Sequence, residues 1–139
     1  ASFVLATGGA AAGKKVTMFF TFWGLSVIKN PKARGVKKDF LGKMFGMMLP
    51  SSTKKLGLSK INMGGLGARM MRFVMKRKKI ESLESMMQTA RASGVEMIAC
   101  QMSMDVMGVP REALYDFVTV GGVATYLEAA SKSGINLFI

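Results

Sequence analysis

The chain has 139 residues, half of them hydrophobic, with a net charge of +12, one cysteine and no histidine. That length fits one domain around one core, and the composition excludes a disordered chain. A lone cysteine rules out an internal disulfide or a CxxC pair. Zero histidines rule out Ser-His-Asp and Cys-His catalysis, imidazole zinc sites and a histidine pH switch.

The chain opens on Ala1 rather than methionine, so a preceding segment is expected. ASFVLATGGAAAG reads as an apolar helix over 1–12 stopped by Gly13, with no basic region of the kind that starts a signal peptide. Val16 to Phe22, rich in β-branched and aromatic residues, reads as a buried strand. Trp23-Gly24-Leu25 turns off its carboxyl end into a short helix that Pro31 terminates. The apolar stretch Val16–Ile28 is too short to span a bilayer as a helix.

Residues 29–79 form a basic, loop-like insert. They hold 15 of the 20 Lys/Arg and, of the eight acids, Asp39 alone. Two amphipathic pieces are expected within it: DFLGKMFGMML, and 64–79 with Leu66, Met70, Phe73 and Val74 on one face. The insert suits an acidic partner or an anionic membrane surface. Its aromatics (Phe40, Phe45, Phe73) are too few for base stacking, which speaks against nucleic acid.

Beyond residue 79 the periodicity sharpens. Ile80, Leu83, Met87 and Ala90 recur at helical spacing, and Gly94 is the stop. Val95–Ala99 is a short strand ending at Cys100. Met102–Met107 makes one or two helical turns, and Arg111–Asp116 a second short turn. A brief strand follows around Phe117-Val118. Gly121-Gly122 opens a helix whose Val123, Tyr126, Leu127 and Ala130 pack inward, and Ile135–Ile139 is a terminal strand. Strands alternating with helices predict an α/β fold: a mostly parallel sheet flanked by helices on both faces, with flavodoxin-like layers. Such sheets gather functional groups at strand carboxyl ends, where Trp23, Cys100 and Gly121-Gly122 fall.

Cys100 is the candidate reactive residue. A buried cysteine is commonly a small core hydrophobe, but a thiol at a strand-to-helix junction faces unpaired N–H groups that favour the thiolate. Without a second cysteine, its chemistry is limited to a partner's sulfur or to oxidation: a persulfide, a mixed disulfide or a sulfenic acid. Trp23, Gly24, Met102 and Met104 are candidates for a soft apolar pocket around it. Asp105 either lines that pocket or is a helix-surface charge; beside a thiolate it opposes activation. Gly121 and Gly122 offer bare N–H groups to an anion or make a tight strand-to-helix turn. Gly8–Lys15 imitates a phosphate loop, but Lys15 occupies the hydroxyl position and the order runs helix to strand. No cofactor and no metal are expected.

VTMFFTFWGL (16–25), CQMSMDVMG (100–108) and VGGVATYLEAASKSGINLFI (120–139) resemble the DsrE/DsrF-like family of sulfur-trafficking proteins. The similarity is to the single-cysteine, DsrE-type branch found in bacteria and archaea, sometimes fused to rhodanese-like or CoA-disulfide-reductase domains. The resemblance implies one domain over 1–139 with a five-stranded sheet, its first strand missing ahead of Ala1. It also implies a cytoplasmic homo-oligomer. Cys100 would act as a sulfane-sulfur carrier or sulfurtransferase-like nucleophile, exchanging with rhodanese-like proteins or small carrier thiols. Two other readings remain open: an oligomeric, non-enzymatic binding module that uses the basic insert, and a thiol redox sensor.

Overall fold

The structure is a computed structural model and describes residues 1–31, 33, 70, 73–75 and 77–139. The elements are helix α1 (Ser2–Ala11), strand β1 (Thr17–Phe20), a 3-10 turn (Phe22–Ser26), α2 (Leu83–Ala92), β2 (Glu96–Cys100), α3 (Gln101–Val106), a second 3-10 turn (Arg111–Ala113), β3 (Thr119–Gly121) and α4 (Val123–Ser131). The fold is α/β, and the three strands form a parallel sheet in the order β1-β2-β3. The expectation for the first amphipathic piece, DFLGKMFGMML, lies outside the described residues. Of the second, Met70, Phe73 and Val74 are described, and all three are exposed.

Alternation along the strands assigns the two faces. Met18, Phe20, Met97 and Ala99 join the core with Phe3 and Ala6 of α1 and Met87 and Ala90 of α2. The Phe3 and Phe20 rings lie 6.2 Å apart, which seats α1 on this face. The intervening residues Thr17, Phe19, Ile98 and Cys100 face the other side, toward α4. There the Phe19 and Tyr126 rings tilt against each other at 5.4 Å. Helices thus flank both faces.

Local signals explain the element ends. Ser82 caps α2 by accepting the Ser85 N–H at 3.1 Å. Gly94 stops α2 at φ 77° and Gly13 ends the α1 segment at φ 74°, a left-handed backbone that only glycine adopts cheaply. Gly8 and Gly9 lie inside α1, so the phosphate-loop lookalike is a helix end. The loop into β3 is clamped by Arg111. Its guanidinium donates to the carbonyls of Tyr115 (3.2 Å), Asp116 (3.0 Å) and Val118 (2.7 Å). Tyr115 stacks on Phe117 at 5.1 Å, and the Arg91 guanidinium sits 4.6 Å above the Phe117 ring.

Three expectations need correction. The strand placed around Phe117-Val118 lies two residues later, at Thr119–Gly121, because Arg111 holds the carbonyls of Tyr115, Asp116 and Val118 in a turn. Ile135–Ile139 is not a strand. Its side chains are largely exposed, Phe138 at 96%, and the segment borders the α4 side of the sheet instead of pairing with a strand. The third concerns α4. Val123 and Leu127 do not pack inward; they are 58% and 57% exposed, and Tyr126, although its ring meets Phe19, stays 42% exposed. A three-stranded sheet is too narrow to cover a whole helix face. With the first of five strands expected ahead of Ala1, four were expected in this chain; the described residues form three, because 135–139 does not pair.

Candidate functional site

Parallel strands present their carboxyl ends together, and β2 is the central strand, so Cys100 closes the middle of the sheet. Its direct cross-strand partner is Gly121 at the end of β3. Gly121 is required by space. A Cβ there would stand 2.9 Å from Ile98 Cγ2 and 3.1 Å from Thr125 Cβ, so β3 and the start of α4 approach the cysteine's strand as closely as backbone allows.

On the α4 side of the sheet lies a cleft of about 780 Å³. Its floor is Phe19, Ile98 and Cys100, and its wall is α4 with the 135–139 segment. Phe22 and Met102 stand at the Cys100 end. Phe22 carries φ 40°, a conformation that bulky side chains rarely adopt and that marks strain next to the site. Charged residues lie along the same cleft: Lys15, Glu96, Glu128 and Lys132. Glu128 is held below the ordinary carboxylate range by its hydrogen bond with Lys132, then by the charges of Lys132 and Lys15.

Cys100 is a free thiol and 3% exposed. It is the N-cap residue of α3 and makes no side-chain capping bond. α3 has only six residues, so few peptide dipoles align on the sulfur, and the helix-terminus effect expected there is small. The remaining sequence-derived candidates divide. Met102 lines the cleft beside the thiol and is 56% exposed. Met104, one step round α3, is 4% exposed within the core. Asp105 is a surface charge that accepts the Gln101 Nε2 hydrogen bond at 2.8 Å. Trp23 is 58% exposed on the first 3-10 turn, and Gly24 lies next to it in that turn. Gly122 is the N-cap of α4 with open space around its Cα, which fits a strand-to-helix turn. Trp23, Gly24, Met104 and Asp105 are not brought to the cleft.

Sequence reasoning passed over Phe19, Phe22, Tyr126 and Ser103. Ser103 has a legible signal: it stands three residues after Cys100 and so returns to the same side of the short helix. Among the described residues, no group of three or more acidic or cysteine side chains comes together to hold a metal ion. No helix among them is long and apolar enough to cross a membrane.

A parallel α/β sheet with an unpaired thiol at the end of its central strand defines a single-cysteine α/β domain. The chain belongs to the DsrE/DsrF/DrsH-like family, whose model matches residues 1–138. It is 41% identical over 139 residues to the uncharacterized protein YrkE of Bacillus subtilis, covering 100% of this chain and 87% of that protein. It is 37% identical over 141 residues to the sulfur carrier protein DsrE2 of Allochromatium vinosum, covering 99% of this chain and 87% of that one.

Proposed function

We propose that this protein traffics sulfur, with Cys100 accepting and passing on sulfane sulfur as a persulfide in a reducing, cytoplasmic setting. The observation that carries the reading is the position of Cys100: the chain's one cysteine, at the carboxyl end of the central strand, on the floor of a cleft. The relationship to a sulfur carrier protein supports it. A thiolate is the nucleophile in sulfur exchange. With no second cysteine the chain cannot resolve the product internally, so sulfur stays on Cys100 until an acceptor thiol takes it. Phe22 and Met102 would limit water at the outer sulfur. At 3% exposure the thiol is sheltered from bulk oxidants, and a donor or acceptor has to reach it by entering the cleft. Rhodanese-like proteins and small carrier thiols are the partners proposed, with the protein working as a homo-oligomer.

The test is direct. Reduced protein is incubated with glutathione persulfide and weighed intact. One added sulfur atom is expected on the wild type and none on Cys100→Ser. No gain by the wild type, or equal gain by both, sinks the reading.

A further inference from the structure

We propose that the Ser103 hydroxyl donates a hydrogen bond to the outer sulfur of a Cys100 persulfide. The inference rests on the carrier reading above and goes beyond it by giving the sulfur a second protein partner. Ser103 is 0% exposed, and its Oγ has no hydrogen-bond partner among the described residues. A buried hydroxyl without a partner costs stability and calls for a reason. Ser103 lines the same cleft as Cys100. Cys100 is the N-cap of α3 and Ser103 its third residue, the separation at which a cap side chain meets the first turn. In the resting protein Ser103 Oγ does not bond to Cys100 Sγ. In the proposed state an added sulfur, one bond of about 2.05 Å further out, takes the place of the partner the hydroxyl lacks. Ser26 supplies the contrast: it is equally buried and unpartnered but absent from the cleft lining.

The chemistry balances without an oxidant or reductant. The Cys100 thiolate attacks the outer sulfur of a donor R–S–SH. The Sγ–S bond forms, the donor's S–S bond breaks, and R–S⁻ leaves. The resulting Cys100–S–SH gives its proton to solvent. The Ser103 O–H then donates to the anionic outer sulfur and slows its loss to other thiols.

Two routes to the persulfide separate this inference from the reading beneath it. The first is glutathione persulfide. The second is chemical: methyl methanethiosulfonate converts Cys100 to its methyl disulfide, and hydrosulfide then displaces methanethiolate to leave Cys100–S–SH. The persulfide lifetime is followed by intact mass. Ser103→Ala is expected to shorten it about tenfold, the scale of one hydrogen bond to a charged group. Ser103→Thr, which keeps the hydroxyl, and Ser26→Ala are expected to hold the wild-type lifetime. Equal lifetimes in wild type and Ser103→Ala overturn the inference even if loading succeeds. If glutathione persulfide fails to load but the chemically made persulfide shows the Ser103 dependence, the carrier reading falls and the Ser103 contact stands. A Cys100 that accepts neither treatment overturns both.

Discussion

Gly121 lies directly opposite Cys100 in the parallel β2–β3 pair. The glycine's missing side chain lets Ile98 and Thr125 close over the position where a Cβ would sit. The packing that brings α4 to the cysteine's end of the sheet thus runs through one hydrogen atom.

Gly121→Ala is therefore expected to destabilise the fold by about 1–3 kcal/mol, the usual range for overpacking a tight site. Contacts at 2.9 and 3.1 Å have to be relieved by moving Ile98 or Thr125. Urea unfolding should show a lower midpoint at unchanged slope. Gly122→Ala meets open space and should leave the midpoint within about 0.5 kcal/mol of wild type.

Arg111→Ala removes three hydrogen bonds to the carbonyls of residues 115, 116 and 118. A loss of about 2 kcal/mol is expected, because charged donors are worth more than neutral ones and the carbonyls lose their partner. Arg111→Lys should recover only part of this, since an ammonium cannot reproduce the planar fork. Thermal unfolding of the three proteins checks the order wild type, Lys, Ala.

Ser26→Ala deletes a buried hydroxyl that has no partner among the described residues. It should raise stability by about 1 kcal/mol. Ser103→Ala should do the same in unloaded protein. Chemical denaturation measures both, and a loss of stability in either variant would mean that its hydroxyl is bonded in solution.

Tyr115 is pushed above its usual value near 10, first by burial and then by the charge of Glu84. The sign follows from linkage: the folded state holds the phenol proton more tightly than the unfolded chain does. The resulting stability is fully present below the unfolded value and is lost as pH rises through the folded one. Tyr115→Phe keeps the ring stacked on Phe117 and removes the titration. Its stability should fall less than the wild type's as pH rises past about 10, measured by denaturation across an alkaline series.

Much of the architecture was legible along the chain. Hydrophobic spacing from Ile80 to Ala90 predicted a helix stopped by Gly94, which in the structure begins later, at Leu83 behind the Ser82 cap; a β-branched and aromatic run placed β1 and a short apolar run placed β2. These signals are local: 3.6-residue periodicity, apolar runs, a glycine at positive φ. The elements that failed depend on distant partners. β3 shifted by two residues because the Arg111 guanidinium, drawn from a separate turn, occupies the carbonyls of Tyr115, Asp116 and Val118. The 135–139 run has strand composition, but composition does not supply a neighbour to pair with.

For the site, the sequence by itself determined that any sulfur chemistry runs through Cys100, at a strand-to-helix junction and without imidazole help. That follows from residue inventory and short-range pattern. Only the tertiary structure decided which side chains share its cleft. Met102 and Met104 are equally apolar and two residues apart, yet the turn of α3 sends one to the cleft and the other to the core. Phe19, Tyr126 and Ser103 come to the cysteine's side because strand alternation, sheet order and the closeness of Gly121 to Ile98 and Thr125 put them there. Those are relations between segments, and no local window of sequence contains them.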